Sequence, residues 1–117
     1  MIRDHRKLHA FRLADQLVLN VYRATTSFPT AERNGLQSQL RRAAVSVPAN
    51  IVEGCARPAE GDYKRFLDIA FASSRELLYL IDLSVRLDLL PRAVGEALLE
   101  QGNYATATIA RLRKGVP

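Results

Sequence analysis

A chain of 117 residues with a net charge of +5 has the size of one domain with one core, and we expect residues 1–117 to form a single domain that begins with a basic segment, 1–7. Its 48% hydrophobic and 25% charged content excludes an intrinsically disordered chain. The sequence has no apolar run long enough for a membrane span or a signal peptide. Its single cysteine excludes an intrachain disulfide. We therefore expect a cytoplasmic protein that does not contact membranes.

The first predicted helix runs from about Leu8 to Ser27. Apolar residues recur along it at spacings of three and four, the period of one helix face. They are Leu13, Leu17, Val21, Ala24 and Phe28. Pro29 disfavours helical geometry at the residue before it, so we expect a tight turn after this helix.

The second predicted helix carries a proline in its middle, Pro48. Its apolar residues keep the helical spacing on both sides of that proline, and they are Leu36, Leu40, Ala43, Val47, Ile51 and Cys55. Because the phase does not slip, we expect a kinked helix and not a loop. The carbonyl of Ala44, which loses its amide donor, should be met by a side chain such as Asn50 or by water.

The third predicted helix, from about Asp62 to Asp88, is apolar around most of its circumference. One face of a bundle cannot bury so many apolar side chains, and the short loops leave little else to cover them. We therefore expect another subunit to bury the surplus, the alternative being cover by the chain's own loops. The expected interface residues are Val18, Tyr22, Leu78 and Leu80.

The fourth predicted helix begins at Pro91, a residue type favoured in the first turn. Its core face is predicted to contain Val94, Leu98, Tyr104 or Ala105, Thr108 and Leu112, while Gly102 weakens its middle. Four helices of similar length joined by short turns predict an all-α, up-and-down antiparallel four-helix bundle.

No catalytic or metal-binding pattern accompanies these helices. His5 and His9 lack further ligands nearby, and Cys55 has no histidine close in sequence to act as a base. Glu53 and Glu76 could face each other as paired carboxylates, but arginines on the same helices favour ion pairs. We expect no enzymatic activity, cofactor, metal or small-molecule substrate.

Basic residues collect at one end of the predicted bundle. Residues 1–65 hold 11 basic and 6 acidic groups, whereas residues 66–117 hold 6 of each. In an up-and-down bundle, both termini and the turn between helices two and three share one end. That end carries Arg3, Arg6, Lys7, Arg57, Lys64, Arg65, Arg111, Arg113 and Lys114 against Asp4, Glu60 and Asp62. Its excess of arginine favours phosphate, and thus nucleic acid, as the partner, whereas the opposite end is balanced.

The segment SQLRRAAVSVPANIVEG, residues 38–54, resembles the 23S rRNA intervening-sequence protein family, whose relatives include the accessory variability proteins of diversity-generating retroelements. The likeness continues upstream in LADQLVLNVYRATTSFP and downstream in RFLDIAFASSRELLYLI. It covers about Leu8 to Leu90, although Phe11 stands where members often have tryptophan and helix four matches by pattern only.

The resemblance implies a homopentamer of four-helix bundles and a role with nucleic acid, and it implies no enzymatic activity. The expected partners are other copies of the chain and RNA, DNA or a nucleic-acid enzyme. A structural oligomer that presents a surface to a protein partner is the main alternative, and a hydrolytic enzyme is a third.

Overall fold

The structure, a computed structural model, describes residues 2–117; residue 1 of the predicted basic segment 1–7 lies outside the described residues. Four helices follow one another: α1 (His9–Thr25), α2 (Leu36–Cys55), α3 (Glu60–Arg86) and α4 (Arg92–Lys114). Two short 3-10 turns, His5–Lys7 and Thr30–Glu32, precede α1 and α2, and residues 2–117 contain no strand. Each helix packs against the next and α1 packs against α4, which confirms the predicted all-α four-helix bundle. Within that range, no helix is long and apolar enough to cross a membrane.

The helix ends follow local backbone chemistry. The Glu32 carboxylate accepts a hydrogen bond from the Leu36 amide at 3.1 Å, which caps the start of α2. At the end of α3, Asp88 has a φ of 60°, and the Leu89 amide donates back to the Ser84 carbonyl at 2.9 Å. This left-handed residue reverses the chain, so that Pro91 can open α4.

Helix α2 continues through Pro48 without a break, as predicted. The Asn50 side chain lies at this point, but it donates to the Ser46 carbonyl at 2.7 Å and not to the carbonyl of Ala44. Asn50 is therefore not the partner of the Ala44 carbonyl, because its side chain reaches the carbonyl four residues before it; the other alternative, water, stays a prediction. The Ser46 hydroxyl also pairs with the Ser73 hydroxyl of α3 at 2.8 Å, which ties the proline-containing turn to its neighbour.

The core has two parts, one towards each end of the bundle. All six residues predicted for the core of α2 are buried, as are Leu17, Val21 and Phe28. Leu13 and Ala24 are only half-buried, and the start of α1 instead buries Ala10 and Ala14. Small residues there bring α1 close to its neighbours at the end where the termini lie.

The apolar surplus of α3 is mostly buried inside the chain itself. Leu80 is only 4% exposed and belongs to the core, so its predicted place at an outer surface was wrong. Leu78 and Val85 are half-buried and lie against Gly102 and Gly95 of α4. A Cβ atom at Gly95 would lie 2.1 Å from Val85 Cγ2, and one at Gly102 would lie 2.6 Å from Leu78 Cδ2. The missing side chains of α4 therefore make room for side chains of α3.

This close approach also changes the predicted face of α4. Val94, expected in the core, is 38% exposed, and of the two alternatives Tyr104 and Ala105 it is Ala105 that is buried, whereas Tyr104 is 52% exposed. The predicted Leu98, Ala105 and Thr108 are buried, and the buried face also includes Gly95, Gly102, Thr106 and Ile109. The buried face includes the two glycines because side chains of α3 occupy the space beside them.

We expect Gly95→Ala to lower the free energy of unfolding by about 1 kcal/mol, because overpacking of about 1–3 kcal/mol outweighs the gain in helix propensity of about 1 kcal/mol. Gly61→Ala is the matched control, since a Cβ there meets nothing within 4 Å. Urea unfolding at one protein concentration measures both. Adding Val85→Ala should recover part of the Gly95→Ala loss, and a Gly95→Ala protein as stable as the Gly61→Ala protein would contradict the packing argument.

Candidate nucleic-acid interface

The start of α1, the end of α2, the start of α3 and the end of α4 meet at one end of the bundle. The chain before α1 is held to this end by a hydrogen bond from the Arg3 amide to the Cys55 carbonyl at 2.9 Å. All nine predicted basic residues belong to segments that meet here. We call them the basic pole: Arg3, Arg6, Lys7, Arg57, Lys64, Arg65, Arg111, Arg113 and Lys114.

Four residues of the basic pole have carboxylate partners. Arg6 pairs with Asp4, and that guanidinium, chiefly through its hydrogen bond, holds the pKa of Asp4 below its ordinary value. The other three pairs are Arg3 with Glu60 at 4.0 Å, Arg57 with Glu53 at 3.6 Å, and Arg113 with Asp68. The sequence-based count omitted Glu53, which lies in the last turn of α2, and Asp68, which lies about two turns inside α3. The balance at this pole is therefore nine basic to five acidic residues.

The other five residues of the basic pole have no carboxylate within 4.0 Å in the part of the chain that the structure describes. They are Lys7, Lys64, Arg65, Arg111 and Lys114. Arg65 lies over the Phe66 ring at 4.7 Å, and Arg111 donates a long hydrogen bond of 3.3 Å to Thr108. These contacts orient the cations without neutralising them, so their charge remains available to an anion.

A pocket of about 450 Å³ opens among the residues of the basic pole. Its wall includes the side chains of Arg3, Glu60, Tyr63, Arg111, Leu112 and Val116. The Arg3 guanidinium lies 3.9 Å from the centre of the Tyr63 ring, and its Nη1 atom is buried without a hydrogen-bond partner among residues 2–117. Burial raises the pKa of Tyr63, so its phenol stays neutral and offers Arg3 an aromatic face.

The other polar candidates do not come together. Glu53 pairs with Arg57, whereas Glu76 pairs with Arg42. Arg42 and Glu53 are eleven residues apart on α2, or about 16 Å along the axis, so the two glutamates do not form a carboxylate pair. His5 contacts Phe11 and His9 contacts Tyr104. Among the described residues there is no group of three potential ligands that could hold a metal ion.

The exposed apolar surface differs from the predicted interface. Tyr22 is 40% exposed with the Arg41 guanidinium over its ring, whereas Val18 is half-buried against the core. A continuous row of exposed apolar residues lies instead on α2, and we call it the outer α2 stripe: Val45, Ala49, Val52 and Ala56. Exposed Ile69 of α3 lies one turn from Ser73, which contacts α2. The spacing of four, three and four was visible in the sequence but ran beside the stronger core face.

Cys55 is expected to be unreactive in the native protein. Its side chain is buried, and burial raises the pKa of the thiol, so less thiolate is present at any given pH. At pH 8, Ellman's reagent should modify it at least about a hundredfold more slowly than in urea, where the chain is unfolded. Because it is the one cysteine of the sequence, the absorbance change reports this site alone. Rapid modification without urea would show that the thiol is accessible.

The profile of a family described as 23S rRNA-intervening sequence protein matches residues 6–111. The fold is similar to that of a protein of unknown function from the S23 ribosomal protein family of Bacteroides thetaiotaomicron VPI-5482. The likeness has a TM-score of 0.79 and 18% sequence identity, and it covers 90% of this chain and 95% of that chain. At this identity it supports the fold alone. No curated protein matches the sequence.

Proposed function

The chain belongs to the 23S rRNA-intervening sequence protein family, and from that premise we propose that it is a non-enzymatic, cytoplasmic homo-oligomer that binds nucleic acid through its basic pole. The observation that carries the proposal is the group of five cationic side chains at one end of the bundle without carboxylate partners among the described residues. The same positive charge would attract a nucleic-acid enzyme through the strand that the enzyme has bound.

Phosphate oxygens suit this surface because arginine and lysine donors can neutralise them one by one. If all five cations contact phosphates of a duplex, the logarithm of affinity should fall against the logarithm of salt concentration with a slope of roughly −4.5 for one subunit. No element among residues 2–117 has the form of a groove-reading motif, so binding should depend little on base sequence.

Self-association is supported by the outer α2 stripe. Val45 and Val52 are 41% and 37% exposed and lie two turns apart on one face, with alanines between and beyond them. Small apolar residues allow helices of neighbouring subunits to approach closely. Cyclic symmetry, with five subunits as the family resemblance implies, would place the basic poles of all subunits on one face if the bundles stand along the axis.

We expect the double variant Val45→Glu with Val52→Glu to dissociate the oligomer, because two unpaired charges would be buried at the contact. Light scattering should give several times 13.0 kDa for the unchanged protein and a mass near 13.0 kDa for the variant. Asn103→Glu, at an exposed position of α4, is the control and should retain the oligomer. A monomer at micromolar concentration in the unchanged protein would refute self-association.

Charge reversal at the basic pole should weaken nucleic-acid binding more than the same change at the opposite end. We expect Lys64→Glu with Arg65→Glu to lower duplex affinity by about a hundredfold at low salt and to flatten the salt slope. Arg33→Glu with Arg92→Glu makes an equal change in net charge at the balanced end and should have a much smaller effect. Mobility shifts at two salt concentrations measure both.

Equal losses in the two double variants would instead reflect net charge alone. No binding even at low salt would refute the nucleic-acid role. It would favour the second candidate, a structural oligomer with a protein partner, which the exposed outer α2 stripe supports.

A further inference from the structure

We propose that the pocket at the basic pole, lined by Arg3, Glu60, Tyr63, Arg111, Leu112 and Val116, receives a single unstacked nucleotide of a nucleic-acid strand. This inference rests on the proposed function and adds the kind of strand that the pole prefers. The pocket is open to solvent, and its volume of about 450 Å³ is within the range of small-molecule sites.

The chemistry of the pocket wall matches the two parts of a nucleotide. Arg3 and Arg111 supply guanidinium donors, which suit a phosphodiester. Leu112 and Val116 supply an apolar surface for a base or a ribose. Single-strand binding sites combine these two elements, a cationic path for the backbone and flat or apolar supports for the bases.

Arg3 is the residue best placed to contact the nucleotide. Tyr63 covers one face of its guanidinium at 3.9 Å, and the side chain is 25% exposed, so a base would have to stack on the face opposite Tyr63. Its buried Nη1 has no hydrogen-bond partner within the described part of the chain. A buried donor in this condition is unfavourable, and a small rotation of the side chain towards a phosphate oxygen would satisfy it.

Glu60 places a negative charge at the same pocket. Its carboxylate lies 4.0 Å from Arg3 Nη2, and its side chain is 55% exposed. An ion pair this long and this exposed contributes little to stability, so a phosphate can displace it. Removing the negative charge of Glu60 should therefore improve binding of a strand.

The test compares a twelve-nucleotide single strand with a duplex of the same sequence by fluorescence anisotropy. We expect the unchanged protein to prefer the single strand, and Arg3→Gln to weaken single-strand binding about tenfold, the loss of one stacked base, while duplex affinity changes little. Lys7→Gln removes one charge at the same pole outside the pocket and should lower both affinities by similar small factors. Glu60→Gln should tighten single-strand binding in a variant that keeps Arg3.

Arg3→Lys separates charge from stacking, since lysine keeps the charge but lacks the planar face. It should weaken single-strand binding by about as much as Arg3→Gln does.

Adenosine monophosphate is the probe for a free nucleotide. If it binds as tightly as the single strand, the proposal is overturned in favour of a mononucleotide site.

Two results would overturn the nucleotide pocket while leaving the basic pole intact. One is an equal loss of affinity for Arg3→Gln and Lys7→Gln on both the single strand and the duplex. The other is unchanged or weaker single-strand binding by Glu60→Gln. The absence of any nucleic-acid binding at low salt would overturn the proposed function and this inference together. Thermal unfolding of each variant checks that the fold is retained.

Discussion

The close contact between α3 and α4 determines how the rest of the bundle is arranged. Val85 and Leu78, two turns apart on α3, lie where Gly95 and Gly102 of α4 have no side chains. This arrangement buries the apolar side of α3 that α2 does not reach, so a helix that is apolar almost all round is accommodated largely within one chain. On α4 itself, Val94 and Tyr104 remain 38% and 52% exposed. Some apolar surface stays exposed on α3 itself, at Ile69 and Tyr79, and the outer α2 stripe is a continuous row of such residues on a neighbouring helix.

The basic pole is a product of topology more than of local sequence. Its nine residues come from the segment before α1, the turn between α2 and α3, the first turns of α3 and the last turn of α4. Antiparallel connections bring these segments together, and the bond from the Arg3 amide to Cys55 holds the first of them in place. The pocket exists only where the segment before α1 and the end of α4 pack beside Tyr63. A change that moved the first segment would therefore alter the pocket and leave the core intact.

Periodicity in the sequence was sufficient to predict four helices, the passage of α2 through Pro48 and the core face of α2. It failed for Leu80 and Val94, because hydrophobic period alone does not say which side of an apolar helix a neighbour covers. That depends on how closely two helices approach, and here the approach depends on glycines that carry no hydrophobic signal. The basic pole was predicted from charge and topology. The pairing of two of its arginines, Arg57 with Glu53 and Arg113 with Asp68, was not predicted. Such pairs depend on side-chain direction at distances of a few ångström.

The pairing of four basic residues has a consequence for how the pole would act. An arginine already held by a carboxylate gains less from a phosphate, since the carboxylate must be displaced or left beside the new anion. On a duplex, one subunit then offers about five effective phosphate contacts, fewer than the six to ten of proteins with strong salt dependence. Repetition of the pole around an oligomer would raise that number without any new residue, because the second and later contacts of one strand become intramolecular. The outer α2 stripe and the basic pole are therefore linked in the proposed function: assembly through the first increases the affinity available from the second.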